Sequence, residues 1–217
     1  MRKIATVLFS MLVMVINFNA SAQEGSWNIG ADLYNRYVWR GTDFGNSPVI
    51  QPTIKFSYGK FTLGAFGSYS TNSKTNGTEA DLYASYEFNC GMDITITDYY
   101  FPKEPGSTGN YFNYNDYHFL EIGASKSFKN FNLSANYFIN GDNDIYLEAG
   151  YSFRKLETFI GIGNKNYTSD GNFNICNIGI STKKEIKITD NFMLPLVGSV
   201  ILNPEREQIF LVVGISI

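Results

Sequence analysis

From Trp27 to the end of the chain, apolar and polar residues alternate in segments of about ten, the two-residue period of strands with unlike faces. Residues 208–217 show it most plainly. Ile209, Leu211, Val213, Ile215 and Ile217 form one aliphatic face, and Phe210, Val212, Gly214 and Ser216 form a smaller, mixed one. The same period predicts twelve strands, over residues 27–40, 49–58, 61–70, 78–88, 92–101, 117–128, 131–139, 144–153, 156–164, 173–186, 192–203 and 208–217.

The connections alternate between tight and long. Gly59-Lys60, Asn89-Cys90-Gly91, Lys129-Asn130, Arg154-Lys155 and residues 188–191 are tight, and each follows an even-numbered strand. Residues 41–48, 71–77, 102–116 and 165–172 are longer and rich in Gly, Asn, Ser, Thr and Pro; Asn140-Gly141 and Pro204 mark two shorter members of that set. The expected fold is all-β: a single antiparallel transmembrane β-barrel of about twelve strands, closed by pairing the last strand with the first, with short periplasmic turns and longer extracellular loops. Outward aromatics fall at two levels. Trp27, Phe56, Tyr58, Phe61, Tyr86, Phe88, Phe128, Phe131, Phe153 and Phe192 stand near the tight turns, and Tyr37, Trp39, Tyr69, Tyr100 and Tyr137 near the long loops. Pro52 and Pro195 fall inside strands that a barrel must pair on both sides, which predicts local bulges.

The N-terminus changes the picture by supplying a compartment. Arg2 and Lys3 precede an apolar run to Ile16, and Ala20-Ser21-Ala22 is a small-residue cleavage pattern, so residues 1–22 read as a signal peptide and residues 23–217 as one domain. No later apolar run reaches the roughly 20 residues of a spanning helix, which directs the exported chain to an outer membrane as strands. Without Arg2 and Lys3 the chain carries 15 basic and 20 acidic residues, and no basic stripe suggests nucleic acid. Cys90 belongs to a tight turn and Cys176 to the long-loop half of its strand, too far apart for a disulfide.

Asn35-Arg36-Tyr37-Val38-Trp39-Arg40-Gly41, followed by Gln51-Pro52, resembles the opening signature of the TorF-like family of outer-membrane porins. Glu79-Ala80-Asp81-Leu82-Tyr83-Ala84-Ser85-Tyr86, Asp98-Tyr99-Tyr100-Phe101-Pro102, Phe119-Leu120-Glu121-Ile122-Gly123 and Asp144-Ile145-Tyr146-Leu147-Glu148 are similar to that family's successive strands, in order. The resemblance implies an outer-membrane barrel of porin type, with no particular solute. Ser85, Ser152 and the final Ile217 depart from the family's usual residues.

Strand parity sends Asp32, Arg36, Arg40, Lys55, Glu79, Asp81, Glu121 and Glu148 to the interior as pore-lining residues, with Glu87 and Glu157, and with Tyr34, Tyr83 and Tyr146 between them. Two readings stand for this set: an ion-paired filling, or a permeation path whose acidic excess favours cations. His118, the one histidine, has outward parity, as does Asp98 on the neighbouring strand; no outward serine accompanies them, so no catalytic residue is assigned. Asp142 and Asp144 are too few for a Ca²⁺ loop, and no cofactor or metal is expected. The expected function is a porin-like channel for small hydrophilic solutes, in contact with outer-membrane lipid. A lipid-modifying enzyme or loop-mediated adhesin, and an exported soluble β-protein, are the alternatives.

Overall fold

Alternating sequence becomes alternating facing along fourteen strands. The computed structural model describes residues 24–72, 77–103, 109–113 and 117–217; the expected signal peptide and parts of the 71–77 and 102–116 loops lie outside them. The strands are β1 (Ser26–Tyr34), β2 (Val38–Trp39), β3 (Thr42–Asp43), β4 (Val49–Tyr58), β5 (Phe61–Ser70), β6 (Glu79–Glu87), β7 (Met92–Tyr100), β8 (His118–Phe128), β9 (Phe131–Phe138), β10 (Ile145–Phe153), β11 (Leu156–Lys165), β12 (Gly171–Thr189), β13 (Phe192–Asn203) and β14 (Gln208–Ser216). Twelve of them, β1 and β4 to β14, form one closed antiparallel barrel in which each strand pairs with its neighbours in the chain and β14 returns to β1.

Closure is the thinnest part of the wall. β1 pairs with β4 along its whole length, from Ser26↔Ser57 to Tyr34↔Val49. Its ladder with β14 covers only Asp32↔Ser216, Leu33↔Ile215 and Tyr34↔Gly214. Main-chain bonds extend it at both ends: Ala31 and Ile217 exchange N–H···O bonds of 2.8 and 2.9 Å, and the Asn35 N–H donates to Val213 O at 3.0 Å. The Asn35 side chain then acts as one more peptide unit. Its Nδ2 donates to Leu211 O at 3.0 Å, and its Oδ1 accepts from the Val213 N–H at 2.8 Å.

The wall carries apolar side chains outside and polar ones inside. Ile29, Leu82 and Leu211 are among the most exposed residues, at 74%, 51% and 62%, whereas Glu79, Asp81 and Glu121 are 1%, 5% and 4% exposed. Trp27, Tyr86, Phe88, Phe128, Phe131, Phe153 and Phe192 are exposed at the tight-turn end, as the pattern predicts. Interior packing is concentrated in the long-loop half. Phe138, Tyr146, Tyr167 and Cys176 cluster there with Trp39, Tyr99 and Phe119, and Ile201, Phe210 and Val212 pack with Tyr34, Val38 and Phe159.

Three expectations are corrected. The first strand does not run to Arg40: it ends at Tyr34, and residues 37–46 turn inward as the β2–β3 hairpin. Tyr37 and Trp39 therefore leave the outer aromatic level. Tyr37 packs on Phe44 and Phe66, with ring centroids 5.3 and 6.5 Å apart, and Trp39 packs on Tyr99 at 5.5 Å. Neither proline makes a bulge. The β4–β5 register is the same on both sides of Pro52, from Ile50↔Tyr69 to Thr53↔Phe66, so the ladder omits that residue without a shift. Pro195 pairs with Glu185 of β12, and the β13–β14 ladder begins only at Leu196↔Ile215, so the missing N–H falls past the end of that ladder. The cysteines are free; Cys90 is exposed in the β6–β7 turn and Cys176 is buried in β12.

Candidate functional site

The hairpin is made by two residues. Val38↔Asp43 and Trp39↔Thr42 flank a two-residue loop, Arg40-Gly41, with φ of 50° and 79°. Positive φ at both positions is what a type I′ turn requires, and glycine meets it without strain. Gly41 also allows close approach to the wall, because a Cβ there would overlap the Cys176 carbonyl oxygen. The Gly41 carbonyl accepts from Asn203 Nδ2 on β13 at 2.9 Å.

From that tip Arg40 reaches the opposite wall. Its Nη1 and Nη2 donate to Glu121 Oε2 and Oε1 on β8 at 2.5 and 3.0 Å, and Nη1 also donates to the Tyr167 hydroxyl at 2.7 Å. The Tyr99 hydroxyl adds a bond to Glu121 Oε1 at 3.1 Å. The guanidinium lies 4.3 Å from the Trp39 ring centroid and 4.6 Å from that of Tyr146. A fork-to-fork pair with extra hydrogen bonds and two ring faces is the arrangement that offsets the cost of burying both charges. Arg36 holds the base of the same hairpin, donating to Asp43 Oδ2 at 3.0 Å and Asn46 Oδ1 at 2.9 Å. The hairpin thus touches β5, β7, β8, β12 and β13, and so crosses the bore.

The remaining interior residues lie around this crossing. Glu79 and Asp81 are buried side by side on β6, and Glu79 Oε2 and Asp81 Oδ1 each lack a hydrogen-bond partner among the described residues. Glu148 accepts from the Tyr146 hydroxyl at 2.5 Å and from Asn177 Nδ2 at 3.3 Å. Asp32 is half-buried beside the β1–β14 seam, and Lys55 is exposed toward the tight turns. So Arg40 and Glu121 are brought together, Glu79 and Asp81 are neighbours, and Arg36 is drawn to its own hairpin.

Among the described residues, a cavity lies at each end of the bore. At the tight-turn end a polar cavity of about 660 Å³ is lined by Ser152, Glu157, Ser181, Lys183 and Glu185. At the long-loop end a vestibule of about 460 Å³ is walled mainly by aromatic side chains, with Trp39, Thr42 and Phe44 of the hairpin among them. Above it, Asn166 Nδ2 donates to Asp144 Oδ2 at 2.8 Å and Asp142 Oδ2 at 3.2 Å, while Arg206 Nη2 donates to the Asn166 carbonyl at 2.9 Å. Glu205 accepts from the Ser169 hydroxyl, from the Ser169 N–H at 2.9 Å and from Asn174 Nδ2 at 2.5 Å. The Ser169 bonds hold the Glu205 carboxyl below its ordinary range, and neighbouring Asp170 opposes them weakly.

Outside the wall, Asp98 and His118 meet as their parity predicts. His118 Nδ1 lies 2.9 Å from Asp98 Oδ1, its Nε2 lies 2.9 Å from the Tyr111 carbonyl, and the Tyr111 hydroxyl donates to Asp98 Oδ2 at 3.0 Å. Residues 109–113 fold back over this pair. They also cover Tyr100, which has outward parity but is 1% exposed, with its ring 5.3 Å from that of Tyr111. Sequence reasoning missed the part played by Tyr99, Tyr167, Asn203 and Asn35. Tyr99 was readable from β7 parity, while Tyr167 lies in a loop and carries no periodic signal.

The chain matches no protein-family model and has no significant match among curated proteins.

Proposed function

We propose that the chain is an outer-membrane channel for small hydrophilic solutes, with the β2–β3 hairpin as its constriction. The observation that carries this reading is the polarity of the wall, with Ile29, Leu82 and Leu211 outward and Glu79, Asp81 and Glu121 buried inside. In water so extensive an apolar exterior promotes aggregation; in a bilayer it is the face that lipid requires. A closed ring leaves no unpaired strand edge in the hydrocarbon. Strands of about ten residues, tilted about 45°, rise about 23 Å, close to an outer-membrane apolar band. The likeness of residues 35–41 to the opening of the TorF-like porins supports the same assignment, and by the same analogy the long loops face outward and the tight turns face the periplasm.

A solute would enter the aromatic vestibule, pass the hairpin when it moves, and leave through the polar cavity. With Arg40 committed to Glu121 and Arg36 to Asp43, the other bore-lining acids Asp32, Glu148, Glu157 and Glu185, with the Glu79–Asp81 pair, outnumber Lys55 and Lys183, which favours cations. The alternative as a lipid-modifying enzyme has less support, because both ring nitrogens of His118 face acceptors and neither is turned toward an incoming substrate.

The test is single-channel recording in planar bilayers under a salt gradient. The native protein should give small conductance steps, and replacement of residues 37–46 by a short Gly-Ser linker should enlarge them. Glu79→Gln with Asp81→Asn should reduce cation preference. Silence from both the folded native protein and the linker variant would sink the channel reading.

A further inference from the structure

We propose that the vestibule at the long-loop end is a binding site for a neutral carbohydrate of mono- to disaccharide size. The inference deepens the channel reading and rests on it for the vestibule's access to the outside.

Seven aromatic rings from different parts of the chain converge on this cavity: Trp39 and Phe44 from the hairpin, Phe101 after β7, Tyr117 just before β8, Phe119 on β8, Phe138 on β9 and Tyr167 in the β11–β12 connection. They are mutually braced. Phe44 stacks on Phe101 with centroids 6.0 Å apart and planes 13° from parallel, and Phe119 meets Phe101 and Phe138 edge-on at 6.0 and 6.2 Å. Rings held this way offer fixed apolar surfaces at little cost in ordering, in a cavity of about 460 Å³, a size suited to a small molecule.

The polar groups decide the class. The charges at the cavity are already engaged: Arg40 beneath it by Glu121, Asp144 by Asn166, and Lys103 at the rim over the Tyr117 ring at 5.9 Å. Asp144 and Lys103 keep opposite charges in the lining, so a charged solute meets no net field that selects its sign. Thr42, Thr78 and Asn166 share the lining with the rings, so a wholly apolar solute would displace water from polar residues without replacing its hydrogen bonds. A pyranose meets both conditions. Its C–H faces lie flat on aromatic rings, and its edge carries hydroxyls that donate and accept.

The chain contains its own reporter. Of two tryptophans, Trp39 lines the cavity and Trp27 is 68% exposed at the far end of the barrel. In the folded, detergent-solubilised Trp27→Phe protein, titration with glucose, maltose and sucrose should change Trp39 emission saturably for at least one of them. Phe101→Ala should weaken that binding about five- to tenfold, as expected for loss of one stacked ring. Thr42→Val, which keeps the β-branched shape, should weaken it about fivefold through loss of one hydroxyl. Glucosamine and glucuronate should bind no more tightly than glucose. No saturable response to any of the three neutral sugars, or tighter binding of indole or benzyl alcohol than of all of them, would overturn the proposal. Because the readout is not current, the two readings separate. Sugar binding by a protein silent in bilayers keeps the site and rejects the channel, and conductance without sugar binding rejects the site alone.

Discussion

Arg40 and Glu121 join across the bore through two parallel hydrogen bonds of 2.5 and 3.0 Å, the guanidinium coming from a hairpin tip and the carboxylate from β8. Side chains only 10% and 5% exposed make this a buried pair, in which loss of one partner strands the other charge. Arg40→Met and Glu121→Gln should each lower stability against urea by about 3–5 kcal/mol. The double variant should lose clearly less than the sum of the two. Both single variants should also raise mean conductance, since each removes the charged clasp between the hairpin tip and β8, Arg40→Met the more because it also removes the bond to Tyr167. Additive losses, or unchanged conductance in all three variants, would contradict a clasp.

At the barrel's closure Asn35 does the work of a strand residue with its side chain. Its amide donates to Leu211 and accepts from Val213 where β1 has already turned away. Asn35→Ala should cost about 1–3 kcal/mol, two net hydrogen bonds at about 1 kcal/mol each with some spread. Asn35→Asp keeps the acceptor but sets a carboxylate oxygen against the Leu211 carbonyl, and should cost at least as much as Asn35→Ala. Urea midpoints in the same detergent check the order, and an Asn35→Ala midpoint equal to native would show that the seam does not depend on this side chain.

What was legible in the sequence follows from which forces act locally. The barrel strands were readable because each must put alternate residues against unlike media, and that demand is written residue by residue. The hairpin was not. Arg36, Tyr37, Val38, Trp39 and Arg40 continue the alternation of β1, so their parity is that of a wall strand. Only contacts with Glu121, Tyr99, Tyr167 and Asn203, all distant in sequence, draw them inside. Arg40-Gly41 was the one local sign, a two-residue turn in the middle of an overlong strand. The Asp98-His118 meeting could be anticipated from parity and pairing. Its cover by Tyr111 could not, because that residue belongs to a loop without periodicity.

Acid should loosen the loops at the long-loop end through Glu205. The Ser169 hydrogen bonds hold its carboxyl below the ordinary value, so the ionised form is favoured in the folded state. That contribution is complete above the ordinary glutamate value of about 4.3 and is lost as pH falls through the depressed folded value. Carboxyl ¹³C titration should place Glu205 below the other exposed glutamates, and Glu205→Gln should remove the acid-dependent change at Ser169. A Glu205 titration at or above the ordinary value would refute the linkage.

His118 and Asp98 hold the β7–β8 loop against the outer wall. His118 Nε2 donates to the Tyr111 carbonyl, Nδ1 faces Asp98, and the Tyr111 hydroxyl closes the ring of contacts on the other Asp98 oxygen. Two polar residues of outward parity are thereby satisfied by a local cover, and removing the imidazole exposes both Asp98 and the buried Tyr100 ring. His118→Ala should therefore speed chymotryptic cleavage after Tyr111 or Phe112 by about tenfold, the factor for about 1.4 kcal/mol of lost holding energy, while global stability changes less. His118→Phe keeps the stacking on Tyr100 and should show a smaller increase, separating ring packing from hydrogen bonding. Equal cleavage in native and His118→Ala protein would mean that the loop is held by something other than this pair.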